Sequence, residues 1–307
     1  MPLLCFGCAK PQEETAGKVT VMASIFPEYE WTRELLKDTE NVQLSLLVQN
    51  GSDLHSYQPS VQDIAAVSSA DLFLCTGGES SKWTEDAVRE PLNKNQRVIR
   101  MLEALGSLAK EEETVEGMEA EEEEESAYDE HVWLSLNNAA VLCRTIAEEL
   151  CRIDPEEAST IRTNLSSYIG KLTDLHARFS ESVRASRHKT LVFADRFPFR
   201  YLCEDYGLTY YAAFAGCSAE TEASFSTVVF LAEKIDSLDL PAVCQIESAD
   251  GRLAKSVLST ADKKNVATVT FDSMQSVNAA YLSSGKTYLS VMEDNLTALQ
   301  TALGSEK

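Results

Sequence analysis

The strongest constraint on the fold is an alternation that occurs twice. Short apolar runs at 19–24 (VTVMAS), 42–48 (VQLSLLV), 71–75 (DLFLC) and 98–101 (VIRM) are separated by helical patterns near 27–38, 60–68 and 81–90. Four more runs follow, at 190–194 (TLVFA), 208–213 (LTYYAA), 242–246 (AVCQI) and 267–271 (ATVTF). Helical patterns at 198–205, 224–236 and 250–260 separate these, and a last helix is expected at 275–303. Strands that alternate with helices form parallel sheets covered on both faces. The chain therefore predicts an α/β protein of two lobes, each a four-stranded parallel sheet flanked by helices.

Between the two sets lies a long helical signal. Asp154 suits an N-cap, Pro155 the first helical position, and Glu156 and Glu157 the positive end of the helix dipole. Apolar residues then recur at Ile161, Leu165, Tyr168, Leu172, Leu175, Phe179 and Val183, in steps of three and four. About 33 residues at 1.5 Å each make a rod of roughly 50 Å. Such a rod is too long for one lobe and predicts one rigid connecting helix running along both. The expected organisation is a tether at 1–17, a first lobe at 18–153, the connecting helix at 154–187 and a second lobe at 188–307.

Charge narrows the function. The 27 Lys and Arg against 49 Asp and Glu leave a net charge of −22. A nucleic-acid partner is excluded, because phosphate neutralisation needs a basic face. Twelve of the acidic residues fall in 111–130 (EEETVEGMEAEEEEESAYDE), which has too few apolar residues to pack. It is expected to be a solvated, mobile loop, either merely solubilising or collecting cations at the mouth of a metal site. No window approaches 18 consecutive apolar residues, so no membrane span is expected.

Apart from Cys5 and Cys8 near the N-terminus, the other six cysteines (75, 143, 151, 203, 217 and 244) form no CxxC pair and no zinc-finger spacing. Cys75 and Cys244 sit in apolar runs and read as buried small hydrophobes. Cys203 and Cys217 could pair in an oxidising compartment. The N-terminal stretch MPLLCFGCAKPQEETAGK resembles the tail of a bacterial lipoprotein signal, with Gly7 before a lipidated Cys8 and a polar tether after it. It lacks the basic region and most of the apolar region of such a signal. A ragged terminus with two incidental cysteines is the other reading.

Of the four histidines, His176 lies on the long helix and His188 in the SRHK turn that closes it, where structural or surface roles are expected. His55 and His131 instead follow segments that link a strand to a helix, where open α/β sheets place ligand sites. Imidazole is a common ligand for zinc and related ions.

The words around these two histidines carry a family resemblance. GSDLHSYQPSVQDIAAVSSADLFLCTGGESSKW (51–83) resembles the first-lobe signature of the zinc and manganese substrate-binding proteins of ABC importers, the cluster A-I type. In that family a Gly-x-Asp-Pro-His-x-Tyr-x-Pro stretch supplies the first histidine; here Leu54 replaces the proline. DEHVWLSLNNAAVLCRTIAEEL (129–150) looks like the second signature, Asp-Pro-His-x-Trp-Leu-x-Pro, with Glu130 and Leu136 replacing its prolines. VTVMASIFPEYEWTREL (19–35), DYGL (205–208), ETEAS (220–224) and Glu247 match further landmarks.

The resemblance implies two more ligands from the second lobe. The family places His or Glu shortly before a Tyr in the stretch that reads TLVFADRFPFRYL here (190–202), and counting back five from Tyr201 lands on Arg196, which cannot bind a cation. Asp195 becomes the expected third ligand if Pro198 marks a one-residue insertion, with Glu222 and Glu220 in reserve. The fourth is Asp272, which also suits an N-cap. His55, His131, Asp195 and Asp272 would form a near-tetrahedral set of two nitrogens and two oxygens. Zinc is the expected ion, with manganese the alternative because carboxylates favour harder ions. The resemblance implies an extracytoplasmic, lipid-anchored, monomeric receptor that delivers the ion to an ABC permease and its ATPase. A metal-buffering or adhesin lipoprotein of the same fold is the rival. No HExxH, P-loop, GxSxG or nucleotide-binding glycine pattern points to an enzyme.

Overall fold

The computed structural model describes residues 18–119, 127–218 and 222–305. The expected tether with Cys8, the glutamates at 121–125 and Glu220 lie outside the described residues.

The first lobe runs β1 (Val19–Ala23), α1 (Phe26–Leu35), β2 (Val42–Leu46), α2 (Val61–Ser69), β3 (Leu72–Cys75), α3 (Thr84–Arg89), β4 (Arg97–Arg100), α4 (Met101–Leu105) and α5 (Leu136–Ile153). The helix α6 (Ala158–Ala185) leads to the second lobe. That lobe runs β5 (Thr190–Phe197), α7 (Arg200–Tyr206), β6 (Thr209–Ala215), α8 (Phe225–Ser237), β7 (Ala242–Ile246), α9 (Arg252–Thr260), β8 (Ala267–Phe271), α10 (Ala279–Ser283) and α11 (Tyr288–Ala302).

The strand orders are β2-β1-β3-β4 and β6-β5-β7-β8, with every pair parallel. In each lobe the chain leaves the first strand to one side and returns on the other. That creates a crevice at the carboxyl ends of the strands, where open sheets bind ligands. All four residues of β3 are buried, as a strand covered on both faces requires.

The connecting helix is shorter than the sequence pattern suggests. Asp154 does not open it; Asp154 ends α5, its N–H donating to the Leu150 carbonyl at 2.9 Å. The cause is Pro155, whose ring disfavours helical geometry in the residue before it. The helix begins at Ala158, and 28 residues make a rod of about 42 Å. It still spans both lobes. Asn164 Nδ2 donates to the Leu35 carbonyl of α1 at 3.0 Å, while Gln300 Nε2 of α11 donates to Ser182 Oγ at 2.8 Å. The expected stripe from Ile161 to Val183 is buried except at Leu165, which is half-buried. The last helical region is two helices, broken at Gly285, where φ is +77°.

The acidic run departs most from expectation. Residues 111–119 are not a solvated loop but a strap laid on the second lobe. Glu119 N donates to the Ala213 carbonyl at 2.9 Å and extends the sheet beyond its edge strand β6. Its carboxylate accepts from Ser224 N and Thr227 Oγ1, capping α8. Glu116 pairs with Lys234 Nζ at 3.1 Å, and Glu113 accepts from the Tyr210 hydroxyl at 3.3 Å. The reason lies in the partner: β6 is an edge strand whose Ala213 carbonyl accepts from the strap, and the N-terminus of α8 attracts carboxylates.

The possible Cys203–Cys217 pair does not form; both thiols are free, with Cys203 on the buried face of α7 and Cys217 in the loop after β6.

Candidate metal centre

His55 lies in a short turn between β2 and α2. Asp53 opens that turn, its Oδ1 accepting from His55 N at 3.0 Å. The turn leans on the second lobe, since Gly51 N donates to the Val277 carbonyl at 2.8 Å and Asp53 bridges to Ser276.

His131 follows the strap and has 0% of its surface exposed. Asp129 Oδ1 accepts from both His131 N and His131 Nδ1, each at 2.8 Å. This fixes the ring so that its Nε2 lone pair is free, as a carboxylate does behind a metal-binding imidazole. The segment is anchored across the lobes: Trp133 Nε1 donates to the Ser273 carbonyl at 2.8 Å, and the Tyr201 hydroxyl donates to the Asp129 carbonyl at 2.9 Å.

The Nε2 atoms of His55 and His131 lie 3.1 Å apart. Carboxylates flank both Nδ1 atoms, Asp129 against His131 and Glu130 at 4.0 Å from His55. The two nitrogens share one hydrogen bond, and a single cation can replace its proton. Zinc–nitrogen bonds of 2.0–2.1 Å at a tetrahedral angle place two nitrogens about 3.3 Å apart. Cys217 Sγ completes the group: the three donor atoms all lie within 4.8 Å of one another, the one such group among the described residues. The approach depends on Gly216, where a Cβ would stand 2.8 Å from His131 Cε1 and 2.9 Å from the Phe197 carbonyl.

Electrostatics prepare the donors. Burial, reinforced by the charge of His131, pushes His55 down to about 3, so it stands neutral with a free lone pair. Burial also depresses His131, but the Asp129 carboxylate outweighs it and leaves the imidazole above its ordinary value. Burial and the carboxylates of Glu112, Asp129 and Glu130 push the Cys217 thiol well up. It is protonated without metal, and a bound dication would displace that proton.

Of the four expected ligands, the structure brings together the two histidines and not the two aspartates. Asp195 sits at a bulge in β5, where the register with β6 shifts between Phe193 and Arg196. The bulge also interrupts pairing with β7, and Asp195 Oδ2 takes over by accepting from Ile246 N at 3.1 Å. Its carboxylate lines a cavity of about 500 Å³ with the exposed Glu222, and none of His55, His131 and Cys217 lines it. Asp272 is neutralised by Lys286 Nζ at 3.1 Å and accepts from the Tyr281 hydroxyl at 3.0 Å. Arg196 turns inward instead: its Nη2 pairs with Asp53 Oδ2 at 2.8 Å and its Nη1 donates to the Ser218 carbonyl at 3.4 Å.

Sequence reasoning missed Cys217. The available signal was a Gly-Cys-Ser loop directly after a parallel strand, the place where open sheets collect ligands. Gln275 was missed too. It is 2% exposed, and neither atom of its side-chain amide has a hydrogen-bond partner. It lies between Ser273, which holds Trp133, and Ser276, which bridges to Asp53.

Residues 21–302 match the family model of ZnuA, the periplasmic component A of the zinc-uptake complex. The chain belongs to this family. Among curated ZnuA-type relatives it is 29% identical over 299 residues to the zinc-binding lipoprotein AdcA of Streptococcus pneumoniae R6, covering 96% of this chain and 58% of AdcA. It is 25% identical over 292 residues to the high-affinity zinc uptake system protein ZnuA of Bacillus subtilis, covering 95% of this chain and 89% of that protein. The chain thus spans little more than half the length of the AdcA proteins it matches. The Zn(II)-bound ZnuA-like domain of S. pneumoniae AdcA superposes with a TM-score of 0.74 at 26% identity, over 94% of this chain and 99% of that domain. The ZnuA-family chain shares the two-lobe frame of these structures.

Proposed function

We propose that this chain is an extracytoplasmic receptor that captures zinc between its lobes at His55, His131 and Cys217 and passes it to the permease and ATPase of an ABC importer. The observation that carries this reading is the convergence of two imidazole Nε2 atoms and one thiol from opposite lobes within 4.8 Å. Zinc is favoured over manganese because a thiolate and two imidazoles form a soft-to-borderline set, whereas manganese prefers carboxylates and water. Three donors leave a fourth position, and Gln275 supplies it in this reading with its unpartnered amide oxygen. Such a site holds the ion as cargo rather than activating it for a reaction. The named zinc-binding and zinc-uptake relatives support the same cargo and the same transporter partners. A monomer tethered through residues 1–17 and lipidated at Cys8 fits this role.

The test is a zinc titration against a competing chelator, run beside Cys217→Ser and followed by cobalt substitution. One tight zinc equivalent is expected, with a sulfur-to-cobalt charge-transfer band. Cys217→Ser should abolish the band and weaken zinc by more than the 10–100-fold typical of residues that only support a ligand. Tight manganese binding in preference to zinc, or a band that survives in Cys217→Ser, would overturn the reading.

A further inference from the structure

We propose that Arg196 is a positioning residue of the zinc site, a fixed cation that sets the spacing between the His55 turn and the Cys217 loop. The inference rests on the site proposed above and goes beyond it, because Arg196 donates no atom to the metal.

The geometry is that of a clamp between lobes. Asp53 uses its two carboxylate oxygens for two different tasks. Oδ1 accepts from the backbone N–H of His55 at 3.0 Å, and Oδ2 takes the Arg196 Nη2 at 2.8 Å. The guanidinium is therefore one carboxylate away from the first histidine. Its Nη1 donates to the carbonyl of Ser218, the residue after Cys217, at 3.4 Å. One planar group thus holds the backbone beside one metal donor and the capping side chain beside another. Arg196 itself is anchored where β5 resumes its register after the bulge, and its N–H donates to Asp195 Oδ1 at 2.8 Å.

Burial separates this pair from an ordinary surface ion pair. The side chains of Arg196 and Asp53 are only 16% and 19% exposed. Exposed pairs contribute little, because solvent screens them and long side chains lose entropy when ordered. A largely buried pair is different: removing one partner leaves the other charge uncompensated, so the contact is held in one geometry. Arginine suits the task because its rigid fork reaches two acceptors at once, which a lysine ammonium on a flexible stem does not reproduce.

A cation near a dication site also has an opposite effect to consider. The guanidinium repels the incoming ion, so if charge were its main influence, neutralising it would tighten binding. If positioning dominates, losing the fork weakens binding whether or not the charge stays. The two predictions differ in sign for a neutral variant. A 2.8 Å ion pair to Asp53, which holds the His55 backbone, and a longer 3.4 Å contact to Ser218 beside Cys217 favour positioning.

The experiment compares Arg196→Lys, Arg196→Met, Asp53→Asn and the double variant Arg196→Met/Asp53→Asn with the parent. Zinc affinity and dissociation rate are measured by chelator competition, and the cobalt-substituted spectrum reports the geometry of the donors. Each single variant is expected to lose on the order of 10–100-fold in affinity, the loss typical of residues that orient metal ligands. The loss should appear mainly as faster dissociation, with a shifted cobalt spectrum. The double variant should lose no more than the worse single variant, because both act through one contact. Thermal unfolding of the metal-free proteins identifies any variant that fails to fold, and the conservative Arg196→Lys keeps the test usable there. Arg196→Met that binds zinc as tightly as the parent or tighter, or losses that add in the double variant, would overturn the inference. Cys217→Ser separates the two levels. If it binds zinc normally, the site itself is misassigned; if it fails while the Arg196 variants bind like the parent, only the clamp is wrong.

Discussion

The two lobes share one strand order and one crevice position, yet they equip the crevice by opposite means. The first lobe delivers two histidines on loops that match its family's local words, with Asp129 on the ring of His131 and Asp53 on the backbone N–H of His55. The second lobe delivers a bulged strand, an arginine, a neutralised aspartate and a thiol. In the proposed site, two lobes of one topology would then supply different chemistry to a shared crevice, imidazoles from the first and a thiol from the second.

The largest expected effect breaks the first half of that comparison. His131→Ala removes a fully buried donor and should abolish tight zinc binding, beyond the 10–100-fold expected for Asp129→Asn, which only loosens the ring. Chelator competition measures both. Equal losses in the two variants would mean that His131 does not touch the ion.

A second, smaller effect concerns the strap. Gly117 has φ of +85° and lies against the Phe230 ring of α8, so a side chain there is both strained and obstructed. Gly117→Val should cost about 1–3 kcal/mol of stability. It should also speed zinc release a few-fold, because the strap carries Glu112, whose Oε1 accepts from Cys217 N at 3.1 Å. Thermal unfolding and stopped-flow release check this. Unchanged stability would restore the picture of a solvated loop.

How much of this was legible in the sequence follows the same division. The eight strands were readable because a strand covered on both faces is a continuous apolar run, as LFLC at 72–75 shows. His55 and His131 were readable because their surroundings are local in sequence. The bulge at Asp195 was hinted at by Pro198, but its consequence depends on Ile246, a strand away. Arg196 meets Asp53 across the lobes, and no window in the chain contains both. The strap was misread for a related reason. Its glutamates look solvated until one sees that Ser224, Thr227 and Lys234 await them on another lobe.

Each lobe also holds a glutamate in a desolvated position, Glu28 buried and Glu247 half-buried, and the two sharpen the comparison through pH. Glu28 accepts from Ser24 and Ile25 behind β1, and burial pushes it up to about 7. Glu247 accepts from Ser273 after β7, and burial together with Asp272 pushes it up to about 7. In the unfolded chain both release their proton near 4.5. Between about 4.5 and 7 the folded state holds more protons than the unfolded state, so this contribution to stability falls as pH rises through that window and levels off above it. Replacing either residue with Gln should make stability relative to the parent improve from pH 5 to pH 8. A constant offset in urea midpoints across that range would show that the glutamate does not titrate there.

The smallest expected effect is on zinc affinity, from Asp195→Asn and Asp272→Asn, and it decides whether the second lobe exchanged its ligands. Asp195 spends its carboxylate on Ile246 N and Arg196 N, and Asp272 on Tyr281, Lys286 and Met274 N. The single amide oxygen of asparagine can accept only one of the two backbone bonds, because Arg196 N and Ile246 N use different oxygens of Asp195, so Asp195→Asn should lose about 1–3 kcal/mol of stability. Asp272→Asn leaves Lys286 without its counter-ion, yet that side chain is 37% exposed and water can solvate it. Neither carboxylate belongs to the group formed by the two histidines and Cys217. Zinc affinity should therefore stay within a few-fold of the parent in both variants, while Cys217→Ser loses it. A severe loss in Asp195→Asn or Asp272→Asn, with the fold intact, would return the second lobe to a carboxylate site. It would also mean that the lobes rearrange around the ion, with the aspartate abandoning the partners it holds here.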